Sequence, residues 1–152
     1  MKPVIDLSKE YGIVLEGGGA KGAYQIGAWK ALVEAGVKIN AVAGTSVGAL
    51  NGALICMGDV QKAESLWNEI KYSNVMDVDD IWMKDVMGKE RSIREVVPEI
   101  LRRISEGGVD ITPLKNLIRD NVDEKRIRES GIEFCINTFS VSKMKEVDIS
   151  IH

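Results

Sequence analysis

The spacing of apolar residues changes several times along the chain, and each change marks an element. "GIVLE" (12–16) is a short continuous apolar run that ends in glycines, which predicts a buried strand. Over 21–35, Ala23, Ile26, Gly27, Trp29, Ala31, Leu32 and Val33 return at helical intervals, and Gly36 occupies the place of a C-terminal cap. "VKINAVA" (37–43) predicts a second strand. "VGALNGALICM" (47–57) is apolar almost all round, so it predicts a helix buried on every side. Gly58-Asp59 ends that helix, and Asp59 is placed to cap another over 60–71.

Beyond that point the pattern predicts a helix near 91–105, then a Gly-Gly turn. A further helix opens with Thr112 as N-cap and Pro113 at the first helical position. Asp123 caps a short helix over 124–130, and "IEFCINTFS" and "KMKEVDISI" read as two strands of a hairpin. Residues 73–90 scatter Val75, Met76, Val78, Ile81, Trp82, Met83, Val86 and Met87 among acids, which fits a lid or lipid-facing patch as well as a core-facing amphipathic segment. Strand–helix–strand–helix order indicates an α/β fold with a mainly parallel sheet. The chain stops inside what reads as a strand, so we expect a fragment of a longer domain, with an exposed sheet edge through which copies could associate.

Composition narrows the partners. The 152 residues fit one domain, 1–152, with 45% hydrophobic and 28% charged residues. The net charge of −3, without a lysine- or arginine-rich block, argues against nucleic acid as a partner. No apolar run reaches the roughly 18 residues of a membrane span. "MKPVIDLSKE" lacks the apolar centre of a signal peptide, so cytoplasmic residence is expected, with peripheral membrane contact left open. His152, the last residue, is the single histidine, and the two cysteines, Cys56 and Cys135, stand far apart in apolar runs. No Cys/His metal site is expected, no cofactor is implied, and both thiols read as buried and reduced.

The glycine loop Gly17-Gly18-Gly19-Ala20-Lys21-Gly22 satisfies G-x-G-x-x-G between a strand and a helix. A dinucleotide site would also need an acid roughly 20 residues on, yet that region reads "INAVAGTS". A phosphate-binding Walker loop needs Lys-Ser/Thr where Ala23-Tyr24 stand. The remaining use of such a loop is to present backbone N–H groups to an anion, and an oxyanion qualifies if a nucleophile lies beside it. Gly44-Thr45-Ser46-Val47-Gly48 supplies one. It is G-x-S-x-G between a strand and a helix, the sharp turn that exposes a serine and needs small residues on both flanks. Loops following two adjacent parallel strands emerge at the same sheet edge, so loop and serine are expected to meet. With His152 terminal, Ser46 has no histidine partner in reach and needs another base, such as a carboxylate.

"EGGGAKGAYQIGAWKALVEAG" followed by "AVAGTSVGALNGALICMG" resembles the patatin-like phospholipases. That family pairs a G-G-G-x-R/K-G oxyanion loop with a G-x-S-x-G elbow, and Lys21 stands at its basic position. The likeness is specific over about residues 12–58 and looser over "ITPLKNLIRDNVDEKRIRESGIEFCINTFSVSKMKEV". It implies a three-layer α/β/α sandwich and hydrolysis of phospholipid or other lipid esters by a Ser-Asp dyad. By that resemblance Ser46 is the nucleophile, Gly17–Gly22 and Val47 hold the oxyanion and substrate, and Gly44, Thr45 and Gly48 shape the elbow. The family's aspartate lies in a D-G-G or D-G-A motif, and no Asp-Gly pair occurs here. Asp77, Asp79, Asp80 and Asp110 read instead as loop or cap residues. The base is therefore expected to be missing from this chain, with acyl transfer to an acceptor or non-catalytic lipid binding as alternatives to hydrolysis. Lys21 either steers a phosphate head group or simply opens the helix, and Trp29 and Trp67 read as packing residues.

Overall fold

A computed structural model describes residues 5–77, 80 and 110–151. The chain divides into two compact units, Met1–Asn68 with Val122–His152, and Glu69–Asn121. The first contains the sheet. Strand β1 (Glu10–Leu15) leads through a 3₁₀ turn (Gly19–Lys21) into helix α1 (Gly22–Glu34). Strand β2 (Lys38–Thr45) turns sharply into α2 (Val47–Met57), and α3 (Val60–Glu69) follows. The short helix α5 (Glu124–Glu129) and strands β3 (Glu133–Ser140) and β4 (Lys145–Ser150) complete the unit. The second unit includes a 3₁₀ turn (Tyr72–Asn74) and helix α4 (Thr112–Asn121).

The sheet has the order β1-β2-β3-β4, with the first two pairings parallel and the last antiparallel. It is an α/β fold with a mixed, mostly parallel sheet. The expected hairpin is present, and β1 and β4 are the outermost strands among the described residues. Register carries the functional consequence. Leu15 lies opposite Gly44 and Thr45 opposite Asn137, so the C-terminal ends of β1 and β2 are level.

Helix α2 lies against β1, β2 and β3 and is flanked by α1 and α5. That position explains its composition, since Asn51 through Met57 are all buried. Its Leu54 and Ile55 pack with Ile26, Trp29, Val42 and Phe134 in one core. Each such side chain contributes about 1.5–3 kcal/mol when fully buried. The helix ends follow the local chemistry. Gly36 sits at φ 76, and the N–H groups of Gly36 and Val37 donate to the carbonyls of Val33 and Leu32 to close α1. Asp59 accepts from the Lys62 N–H at 3.0 Å and Asp123 from the Arg126 N–H at 3.2 Å, as their cap positions predict.

Three details depart from the sequence reading. Thr112 is the first residue of α4 rather than its cap, and the Asp110 carboxylate before the helix accepts from both the N–H and the hydroxyl of Thr112. Cys56 is buried, but Cys135 on β3 is only half-buried. Strand β1 starts at Glu10 rather than Gly12. The helix expected near 91–105 lies outside the described residues, as do His152, Asp79 and all of the 73–90 segment except 73–77 and 80.

Candidate active site

Ser46 occupies the turn between β2 and α2 with φ 53 and ψ −127, one of two non-glycine residues at positive φ among those described. The turn is tight on both sides. A methyl group on Gly44 would lie 2.7 Å from the Ala49 nitrogen and overlap the Gly48 carbonyl. One on Gly48 would lie 2.8 Å from the Glu16 carbonyl oxygen and overlap that of Leu15. Only hydrogen fits at either position, which is the physical reason for glycines flanking the serine at this spacing. The side chain of Ser46 is exposed at the start of α2, whose first amides have no helical acceptor. The Ser46 carbonyl already accepts from Ala49 and Leu50, so the helix starts directly behind the serine.

The glycine loop meets Ser46. A methyl group added to Gly17 would sit 3.1 Å from the Ser46 Cβ and 3.8 Å from its Oγ. Lys21 N–H donates to the Gly18 carbonyl and Gly22 N–H to those of Gly19 and Ala20, while no backbone acceptor faces the N–H of Gly18 or Gly19 among the described residues. Gly19 sits at φ 55, in the left-handed region, so the loop turns outward before entering α1. Lys21 is exposed at the end of the 3₁₀ turn, with its stem close to Gly18. Val47 follows Ser46 as the first residue of α2. Adjacent parallel strands thus bring Gly17–Gly22 and Gly44–Gly48 together, as their order predicts.

A buried polar network, absent from the sequence reading, ties the two motifs together. Asn51 is 1% exposed inside an otherwise apolar face of α2. Its amide donates to the Gly22 carbonyl at 2.9 Å and to Gln25 Oε1 at 2.8 Å, and its Oδ1 accepts from the Trp67 indole at 2.8 Å. Gln25 in turn donates to the Glu16 carbonyl at 2.8 Å. Both ends of the glycine loop are therefore tied to Asn51 of α2, Gly22 directly and Glu16 through Gln25 of α1. Trp67 also closes over Gly22, where a methyl group would lie 2.6 Å from its ring. Its role exceeds the packing expected of it, whereas Trp29 is a core residue at 3% exposure. The signal that could have found this network was the single amide in "VGALNGALICM".

Among the described residues, no side chain accepts a hydrogen bond from Ser46 Oγ, and no group of His, Cys, Asp and Glu is placed to hold a metal ion. The candidate carboxylates are engaged locally. Asp80 accepts from the N–H and hydroxyl of Ser73, and bonds from Thr112 hold the Asp110 carboxyl below its ordinary value. An apolar groove of about 540 Å³ runs beside β1 and α1, lined by Val14, Leu15, Tyr24, Trp29 and Leu32, and reaches Gly17 and Lys21. Ser46 is not part of its wall.

An exposed serine at a glycine-flanked elbow lies beside a glycine loop on the next strand of a parallel sheet in this α/β fold. The patatin-like phospholipase profile matches residues 13–147, and the chain belongs to that family. Lysophospholipase nte1 of Aspergillus terreus is 56% identical over 46 residues, covering 30% of this chain and 3% of that protein. Neuropathy target esterase sws of Drosophila persimilis and of Drosophila grimshawi are each 60% identical over 45 residues, with the same coverage. The matched stretch thus spans a small part of the length of these relatives.

Proposed function

We propose that this chain carries the nucleophile and oxyanion portion of a serine lipid acyl hydrolase. Membership of the patatin-like phospholipase family and likeness to a lysophospholipase and an esterase support lipid-ester hydrolysis as the general activity. The observation that carries the reading is the exposed Ser46 hydroxyl with Gly17 against it at the start of α2. In this scheme Ser46 Oγ attacks the ester carbonyl carbon, and the carbonyl oxygen takes up the electron pair. The N–H groups of Gly18 and Gly19, with that of Val47, stabilise the resulting oxyanion, and each donor of this kind lowers the barrier by about 3–4 kcal/mol. Collapse breaks the ester C–O bond. The serine proton passes through a carboxylate base to the leaving alcohol, and water then releases the fatty acid from Ser46. Lys21 is positioned to attract a phosphate head group.

The base in this scheme is an aspartate supplied from outside the 152 residues, since no Asp-Gly motif occurs among them. The chain alone is then expected to turn over lipid esters poorly. Fluorophosphonate labelling read by peptide mass spectrometry, with Ser46→Ala as control, tests the nucleophile. A label on Ser46 that the variant lacks supports it. A label elsewhere, or none on folded chain extended to include an Asp-Gly motif, overturns it. Incubation with an alcohol or lysolipid acceptor separates hydrolysis from acyl transfer through the product formed.

A further inference from the structure

The β3–β4 hairpin has a feature that the acyl chemistry does not use. Strand β3 runs parallel to β2 with Asn137 opposite Thr45, so it leaves the sheet at the same end as Ser46 and the glycine loop. It continues through Thr138, Phe139 and Ser140, about 10 Å further at 3.3 Å per residue. The turn 141–144 forms the tip. Phe139, Val141 and Met144 are 54%, 77% and 74% exposed there. The tip holds its shape through its own bonds, not through packing. Lys143 N–H donates to the Ser140 hydroxyl at 3.3 Å and Met144 N–H to the Val141 carbonyl at 3.4 Å. Met144 sits at φ 48, a region that turns normally reserve for glycine or asparagine.

Single exposed apolar residues need no explanation, but two on one projecting turn, with Phe139 on the strand leading into it, differ from the polar composition usual in turns. Lys143 and Lys145 flank Met144, both exposed, and Lys21 adds a third cation at this end of the sheet. The carboxylates nearest in the chain are Glu146, opposite Phe139, and Glu16, before the glycine loop. With a net charge of −3, the molecule as a whole gains nothing from a negative surface, so any attraction must be local. A convex tip of apolar side chains between lysines suits a bilayer boundary better than a protein groove, which would need a broader apolar face.

We propose that the hairpin tip, residues 139–145, is an interfacial anchor for bilayers bearing anionic phospholipids. Phe139, Val141 and Met144 enter the head-group boundary, and Lys143 and Lys145 face the phosphates. The anchor would bring Ser46 to the surface where its lipid esters reside, so its purpose rests on the hydrolase reading. Binding itself requires neither Ser46 nor its base.

Co-sedimentation of the 152-residue chain with vesicles tests this, using phosphatidylcholine alone and phosphatidylcholine mixed with phosphatidylglycerol. The chain should bind the mixed vesicles. The variant pair Val141→Ser with Met144→Ser should weaken binding about tenfold. The pair Lys143→Gln with Lys145→Gln should weaken it by about fivefold per lysine. Both variants should keep the parental circular dichroism and melting temperature, because the side chains are exposed. Absence of binding to either vesicle, or equal binding by parent and variants, overturns the anchor. Ser46→Ala should bind as the parent does. Vesicle binding by the chain, with Ser46 unlabelled even in folded chain extended to include an Asp-Gly motif, would sink the hydrolase reading alone, and a labelled Ser46 without vesicle binding would sink the anchor alone.

Discussion

Ser46 holds a backbone conformation that costs on the order of 1–3 kcal/mol in isolation, and it persists because the residues around it leave no alternative. Gly44 and Gly48 are the tightest of these. Gly48→Ala would drive a methyl group into the Leu15 carbonyl and separate α2 from β1. We expect a loss of more than about 3 kcal/mol in urea unfolding, together with loss of fluorophosphonate labelling at Ser46. The Asn51 network allows a finer dissection. Asn51→Leu would strand the Trp67 indole N–H and remove the side-chain bond to the Gly22 carbonyl, which should cost about 2–4 kcal/mol on a thermal or urea scale. Gln25→Met removes the bond to the Glu16 carbonyl and the Oε1 acceptor of the Asn51 amide, while the Asn51 bonds to Gly22 and Trp67 remain, and should cost about 1–2 kcal/mol. If the network serves to position the glycine loop, Gln25→Met slows labelling of Ser46 well beyond what this small stability change explains. An unchanged labelling rate would restrict the network to a folding role.

At the scale of elements, α2 is the part on which the others are assembled. Its N-terminus lies behind Ser46, and Arg126 of α5 donates to the Met57 carbonyl at 2.6 Å at its other end. Lys30 of α1 and Glu64 of α3 form an ion pair at 2.8 Å, and the carboxylate keeps the lysine charged to higher pH than usual. Both partners are substantially exposed, so salt should weaken the pair. The helix caps give a cleaner test. Asp123 satisfies the first turn of α5, whose Ile127 is buried against the core. Asp123→Ala should lower stability by about 1 kcal/mol without altering the labelling of Ser46, as measured by urea midpoint and label yield.

For the molecule as a whole, burial sets an alkaline limit. Desolvation pushes the Cys56 thiol up to about 11 from 9.0. The folded state thus holds this proton more tightly than the unfolded chain does. The corresponding stability is fully present below about pH 9 and is lost as pH rises towards 11. The urea midpoint should fall across that window, and Cys56→Ala should flatten the fall. The same burial should protect Cys56 from thiol reagents until the chain unfolds, while the half-buried Cys135 reacts first.

The alternation of apolar runs and glycines determined most of the sheet unit without help from the coordinates. Strand–helix–strand order dictates adjacent parallel strands, and G-x-S-x-G at the second strand end dictates an exposed serine, because these follow from short-range sterics and handedness. The single amide of Asn51, its indole partner sixteen residues on and the bond back to the Gly22 carbonyl were decided only by tertiary structure. So were the level ends of β1 and β2 and the reach of the hairpin beyond the serine edge. Local patterns register which face a residue turns to, but a buried polar group finds its partner across elements, and one sequence carries no distance between them.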